Sequence, residues 1–330
     1  MLERNLESFF LQEYPQFEII FGARHEEDPA LKIVRALREK YPHIQASVVL
    51  SGEPEYPNAK IFALEKMVRT ARGSYWVITD SDVCVKPDCL KHVVRPLLDP
   101  AVGVVTCLYG GTPAGGFWSI LEALGMSVEM SSGVLVANML EGMRFALGPT
   151  MATREDIVES IGGVGALGSY CADDYILGNR AFYAGKKVVL SHHFIEHVAV
   201  NRSARSSLAH QIRWMRSTRF SRQAGHTGTG LTYAMPFGVL GLLAGTAVYD
   251  WRVGLALWSW AFLNRVVQAV AIGWGVIGDA NSLLLCWLYP LRDFLGFFVW
   301  CASFAGDEII WRSERYQLIA DGKMIRKSVN

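Results

Sequence analysis

The stretch Tyr75-Trp76-Val77-Ile78-Thr79-Asp80-Ser81-Asp82 closes an apolar, β-branched run on two carboxylates with one residue between them. Residues 75–79 have the composition of a strand. The aspartates cannot follow that strand into a core, because an unpaired ionised carboxylate in apolar surroundings is too costly. At the carboxyl end of a strand, where open α/β sheets bind ligands, Asp80 and Asp82 make a hard-oxygen site for Mg2+ or Mn2+ shared with substrate phosphates. The plain reading of the same residues is a solvated acidic turn.

The flanking chain favours the ligand-binding reading. Residues 17–22 and 46–50 read as further strands, and 29–40 and 58–72 as helices, the first opening near a proline and the second ending at Gly73. A helix over 87–98 and a strand over 102–108 follow the acidic turn. Strands alternating with helices of this length predict βαβ units and a mainly parallel sheet, an α/β fold. Its ligand edge then carries Asp80, Asp82 and the acidic cluster Glu26-Glu27-Asp28.

Gly-rich loops are expected at 110–116 and 162–168, the second leading into Ala172-Asp173-Asp174-Tyr175. A loop that ends in carboxylates and continues as a helix reads as an N-cap with acidic first-turn residues. Capping needs one carboxylate, so the other is available to project into the crevice as a general base.

The 330 residues are 51% hydrophobic and only 19% charged, which points to a chain partly facing lipid. A net charge of +1 argues against nucleic acid as a partner, and no protein partner can be read from the sequence. The six cysteines show no zinc-site spacing and read as reduced thiols facing a cytosol-like compartment. No signal peptide is visible at the start.

The composition changes near residue 230. Residues 1–200 read as the α/β domain and 201–230 as a basic amphipathic segment holding His210, Gln211, Arg213 and Trp214. Those four read either as a basic helix before a membrane, with an interfacial aromatic, or as a clamp for diphosphate or acceptor. Residues 231–305 read as two to three transmembrane or interfacial helices, from the apolar segments 231–249, 253–276 and 283–305. Residues 306–330 read as a basic tail. Basic flanks on both sides, Arg213 to Arg222 before and Arg312, Arg315, Lys323, Arg326 and Lys327 after, favour one segment being interfacial or re-entrant.

Together these features resemble a membrane-bound glycosyltransferase of family 2, in its ceramide glucosyltransferase branch, which includes bacterial hopanoid-biosynthesis enzymes. The matching residues run along most of the chain: Asn5-Leu6-Glu7-Ser8-Phe9-Phe10, Tyr14-Pro15, Glu27-Asp28-Pro29-Ala30, Asp80-Ser81-Asp82, Ala172-Asp173-Asp174-Tyr175, Ile212-Arg213-Trp214 and Trp311-Arg312-Ser313-Glu314-Arg315-Tyr316. The resemblance implies a GT-A-like nucleotide-sugar-binding domain followed by membrane helices. It implies Glu27 and Asp28 near the nucleotide, Asp80 and Asp82 on metal and diphosphate, and Asp174 as the catalytic base. The last motif, (Gln/Arg)-x-x-Arg-Trp, puts His210 at its first position here, with Gln211 beside it. The family also begins with a membrane helix and a strand, after which this chain starts: either Met1 is not the natural start and the protein is longer, or the sheet lacks a central strand and an inactive scaffold is the reading.

The activity so implied is inverting transfer of glucose or N-acetylglucosamine from a UDP-sugar to a lipid hydroxyl, of ceramide or a hopanoid, giving a β-glycoside. The partners are then a UDP-sugar donor, a membrane lipid acceptor and the bilayer. The location is a bacterial inner membrane with the active site facing the cytoplasm. A polysaccharide synthase of the same family and an inactive membrane scaffold stay open beside it.

Overall fold

The computed structural model describes residues 1–311 and 314–327, so Arg312 and Ser313 of the last motif lie outside the described residues. The chain forms two compact units. The first comprises residues 1–108, 141–197 and 310–330, and the second residues 109–140 and 198–309.

In the first unit, strands β1 (Glu18–Ala23) and β2 (Gln45–Leu50) pair in parallel, joined by the helix Ala30–Lys40. A separate five-stranded sheet has the order β3-β6-β5-β7-β4. Its members are β3 (Tyr75–Thr79), β4 (Val83–Cys84), β5 (Val102–Pro113), β6 (Thr150–Arg154) and β7 (Lys187–Ala199). β6 runs antiparallel to both β3 and β5, so those two point the same way with a reversed strand between them. β4 pairs antiparallel with β7, Val83 opposite His197 and Cys84 opposite Glu196. The architecture is a mixed GT-A-like α/β fold. β7 runs alongside β5 in the same direction, Lys187 N–H on the Ala101 carbonyl at one end and Ala114 N–H on the Ala199 carbonyl at the other. The alternation of strands and helices located the parallel members, while the reversed strands β6 and β4 carry no βαβ signature and were not expected.

The helix Leu2–Phe10 explains its own motif. Leu6 and Phe10 bury their side chains against Val34 and Leu37 of the helix Ala30–Lys40. Its buried polar stripe faces elsewhere: Asn5 Nδ2 donates to the Ser81 carbonyl at 3.3 Å, and Ser8 Oγ accepts from Val85 N–H at 3.1 Å. Spaced by three residues, Asn5 and Ser8 share one helical face and brace the acidic turn.

The tail is not a free basic segment. Strands β8 (Glu308–Trp311), β9 (Glu314–Leu318) and β10 (Met324–Arg326) form a three-stranded sheet. Lys323 bridges Tyr170, and Met324 N–H donates to the Ser169 carbonyl at 2.7 Å, on the loop that leads to Asp173.

The second unit gathers the apolar segments and one helix that composition did not announce. Phe117–Glu141 and Trp251–Trp274 are each long and apolar enough to cross a membrane, and Gln223–Thr232 with Met235–Val248 forms a third candidate bent by 47°. The segment 283–305 is not one helix. Its last part, Tyr289–Ser303, has 15 residues and so spans about 22 Å, short of a bilayer's apolar core. The glycines at 110 and 111, expected in a loop, continue β5 instead. A Cβ on Gly111 would meet the Ala123 backbone at 2.4 Å, so glycine is there for a close approach, not for a turn.

Candidate active site

The acidic turn is built by β3. After Thr79 the chain leaves the sheet, with Asp80 N–H held by the Pro149 carbonyl at 3.2 Å and Val83 N–H returning to the Asp80 carbonyl at 3.3 Å. This tight turn presents both carboxylates, Asp80 and Asp82, beyond the end of the strand.

A lysine that sequence reasoning missed sits on them. Lys60 Nζ lies 2.7 Å from Asp80 Oδ1 and 4.0 Å from Asp173 Oδ2. Lys60 occupies the first turn of the helix Ala59–Val68, where its charge opposes the helix dipole. That local conflict was the available signal, since a cation there needs a nearby acid. The same helix is capped by Asn58, fully buried, whose Oδ1 accepts from Ile61 N–H at 3.1 Å. Its amide donates to the Tyr170 carbonyl at 2.9 Å and to Asp173 Oδ1 at 3.0 Å. One asparagine thus fixes the helix carrying Lys60 and the loop carrying the second acidic pair.

Asp173 and Asp174 open the helix Asp173–Tyr183, and the residue in the capping position is Ala172. Asp173 is buried and tied to Asn58 and Lys60, while Asp174 accepts from Tyr175 N–H at 2.8 Å. Burial and then the Asp173 charge push the Asp174 carboxyl up to about 6, against the pull of Lys60 and of backbone N–H groups. Burial raises Asp173 too, opposed by Lys60 and Asn58. Burial works against the charge on Lys60, yet Asp80 and Asp173 outweigh it and hold the ammonium above its ordinary range.

His197, also unforeseen, faces this cluster from β7, its Nε2 3.5 Å from Asp82 Oδ1. Asp82 Oδ1 is buried and has no hydrogen-bond partner. A buried carboxylate oxygen without a donor is a place for a cation. By chemistry, the hard oxygens of Asp80 and Asp82 with the imidazole of His197 beside Asp82 suit Mg2+ or Mn2+.

The other expected site residues belong to other elements. Glu27 is exposed, and Asp28 turns its carboxylate to the Ala30 N–H at 2.9 Å, opening the helix Ala30–Lys40. His210, Gln211, Arg213 and Trp214 lie on the helix Ala204–Ser221 of the second unit. There His210 Nδ1 is 2.7 Å from Glu122 Oε1, and Gln211 donates to Ser207 Oγ at 2.9 Å. Ser207 in turn donates to Glu122 Oε2 at 2.6 Å, and the Trp214 ring lies 4.2 Å from the His210 ring. Glu122, on the unannounced helix Phe117–Glu141, is therefore the partner that this motif lacked in the sequence.

A GT-A-like sheet that presents an Asp-x-Asp turn opposite a second acidic pair defines a glycosyltransferase. The chain belongs to glycosyl transferase family 21, whose model matches residues 1–324. The resemblance to ceramide glucosyltransferases read from the motifs holds. Ceramide glucosyltransferase 1 of Caenorhabditis elegans is 26% identical over 339 aligned positions, covering 100% of this chain and 71% of that protein. The ceramide glucosyltransferase of Komagataella phaffii is 36% identical over 100 positions, 29% of this chain and 20% of that protein. Among solved structures, the mannosyltransferase PcManGT of Pyrobaculum calidifontis, in complex with GDP-Man and Mn2+, matches with a TM-score of 0.53 at 18% identity. That match covers 90% of this chain and 83% of the other, and it bears on the fold alone.

Proposed function

We propose that this protein moves a hexose, glucose or N-acetylglucosamine, from a UDP-sugar to the hydroxyl of a membrane lipid such as ceramide or a hopanoid, with inversion to a β-glycoside. The observation that carries this reading is the excess of acid over base at the turn. Asp80, Asp82, Asp173 and Asp174 share Lys60 and His197. Such a cluster is stable only with a further cation, and a divalent ion accompanied by a diphosphate is the chemistry that fits.

Asp80 and Asp82, with His197 beside them, would hold Mg2+ or Mn2+. When bound, that ion supplies positive charge for the diphosphate oxygens as the sugar leaves. Asp174 takes the proton from the attacking lipid hydroxyl. Its carboxyl, raised to about 6, is ionised at neutral pH and still basic enough to accept a proton. The N–H groups of Tyr175 and Gly148 keep that carboxylate oriented. The hydroxyl oxygen bonds to the anomeric carbon while the bond to UDP breaks on the opposite face, which inverts the centre. For Arg213 and Trp214 the support is motif position alone, as a clamp on the diphosphate or acceptor. The chain's helices Phe117–Glu141 and Trp251–Trp274 give the protein the means to sit where its acceptor dissolves. Six free cysteines and the basic helix Ala204–Ser221 support a cytoplasm-facing active site.

The test is incubation of membranes carrying the protein with labelled UDP-glucose or UDP-N-acetylglucosamine and lipid extract, with and without EDTA. Label in an organic-extractable glycolipid, lost with EDTA and restored by Mg2+ or Mn2+, is expected. Label in water-soluble polymer would instead identify a polysaccharide synthase.

A further inference from the structure

We propose that Asp88, His92 and His193 form a second metal site, separate from the Asp80 and Asp82 carboxylates, that takes a zinc-class transition ion. One ligand atom from each of the three side chains lies within 4.8 Å of the others. The ligands come from two elements: Asp88 directly precedes the short helix Cys89–Val94, His92 lies one turn further on, and His193 projects from β7.

The carboxylate lies between the two imidazoles. Asp88 occupies the position before the helix where a carboxylate would normally cap, yet its side chain makes no capping bond. Its two oxygens are instead divided between the imidazoles, Oδ2 at 3.1 Å from His92 Nε2 and Oδ1 at 3.8 Å from His193 Nδ1. The two rings stack with centroids 5.0 Å apart and planes 17° from parallel. His193 is only 7% exposed, and its Nε2 has no hydrogen-bond partner. A buried imidazole with an unfilled nitrogen is an unsatisfied polar group, and a metal on one nitrogen with the proton on the other is a common resolution.

The donor set fixes the class of ion. Two imidazoles and one carboxylate suit Zn2+, with Co2+ and Ni2+ as substitutes, and leave a fourth position for water. The Asp80 and Asp82 site, rich in oxygen, suits Mg2+ or Mn2+. The β4–β7 pairing sets the two apart: His197 faces Asp82, and His193 lies four residues earlier on the same face of β7, about 13 Å away along the strand. The segment bearing Asp88 is held in place by Gln12, whose amide donates to the Lys86 carbonyl at 2.9 Å and whose oxygen accepts from Leu90 N–H at 3.1 Å. An ion here would tie that segment to the strand that carries His197.

Zinc titration by calorimetry of the purified, EDTA-stripped full chain tests this. It is run on the Asp80→Asn/Asp82→Asn variant and on the unaltered protein with excess Mg2+ occupying the first site. One zinc equivalent is expected in both, at least tenfold weaker after His92→Gln or His193→Gln, with Co2+ giving the visible bands of a tetrahedral nitrogen-bearing site. His92 is exposed, so its variant keeps the fold, which the melting profile verifies. Zinc binding unchanged by His92→Gln, no zinc binding under either condition, or Mn2+ competing equally with Zn2+ would each overturn the proposal.

Discussion

In the second unit Glu129 lies 2.8 Å from Arg292 and Asp293 lies 3.2 Å from Arg265, one cation to each acid. Tyr233 donates to Glu129 at 2.9 Å, and Asp293 takes the N–H groups of Ala234 and Met235 at 3.0 and 2.8 Å. In the first unit Asp80, Asp173 and Asp174 gather around Lys60, and Asp82 meets His197. The balanced network holds helices together in surroundings where an unpaired charge is prohibitive. The unbalanced cluster holds a place for charge brought by a ligand. Polar groups within apolar helices are commonly read as functional, yet here the charge that matches itself reads as structural, and the charge left over lies at the proposed site.

The largest effect that would break this contrast is at Asp174. Asp174→Asn removes the proposed proton acceptor and should lower transfer by about 10²–10⁴-fold while nucleotide binding stays nearly intact. Loss of UDP binding in that variant, measured by calorimetry, would give Asp174 a binding role instead. At Glu129, the contrast predicts a stability effect. Glu129→Ala leaves Arg292 buried and unmatched and should cost about 3–5 kcal/mol, whereas the double variant Glu129→Leu/Arg292→Met should recover most of it. Thermal unfolding in detergent decides, and equal losses in both would show that the pair does more than balance charge.

A smaller effect concerns pH. The base acts only when ionised, so kcat/KM should fall about tenfold per pH unit below about 6 and level off above it. The stability contribution has the opposite sign. A carboxyl raised in the folded state stabilises below its unfolded value and loses that contribution as pH rises through about 6. A limb near 4 in the rate profile would mean that a bound cation offsets both the burial of Asp174 and the charge of Asp173. The smallest effect is at Gly148, where an added Cβ would lie 3.0 Å from Asp174 Oδ2. Gly148→Ala should slow transfer a few-fold without changing the melting profile, by displacing the carboxylate a few tenths of an ångström.

Residue type and spacing alone established an apolar strand ending on Asp80 and Asp82, a second acidic pair at Asp173 and Asp174, and a basic helix before apolar segments. These are local patterns, written in two- and four-residue periods, and they suffice for an α/β fold with a cation-binding edge. What only the tertiary structure decided was which charges meet. Lys60 reaches Asp80 across 20 positions and Asp173 across 113, and Asn58 reaches Asp173 across 115. Such pairings leave no periodic trace. The helix Phe117–Glu141 was missed for the same reason: Glu122 and Glu129 interrupt its apolar run, and their partners His210 and Arg292 lie 88 and 163 positions later. A charge reads as solvated until the fold shows what stands opposite it, because a pairing energy depends on distance in space and not on distance along the chain.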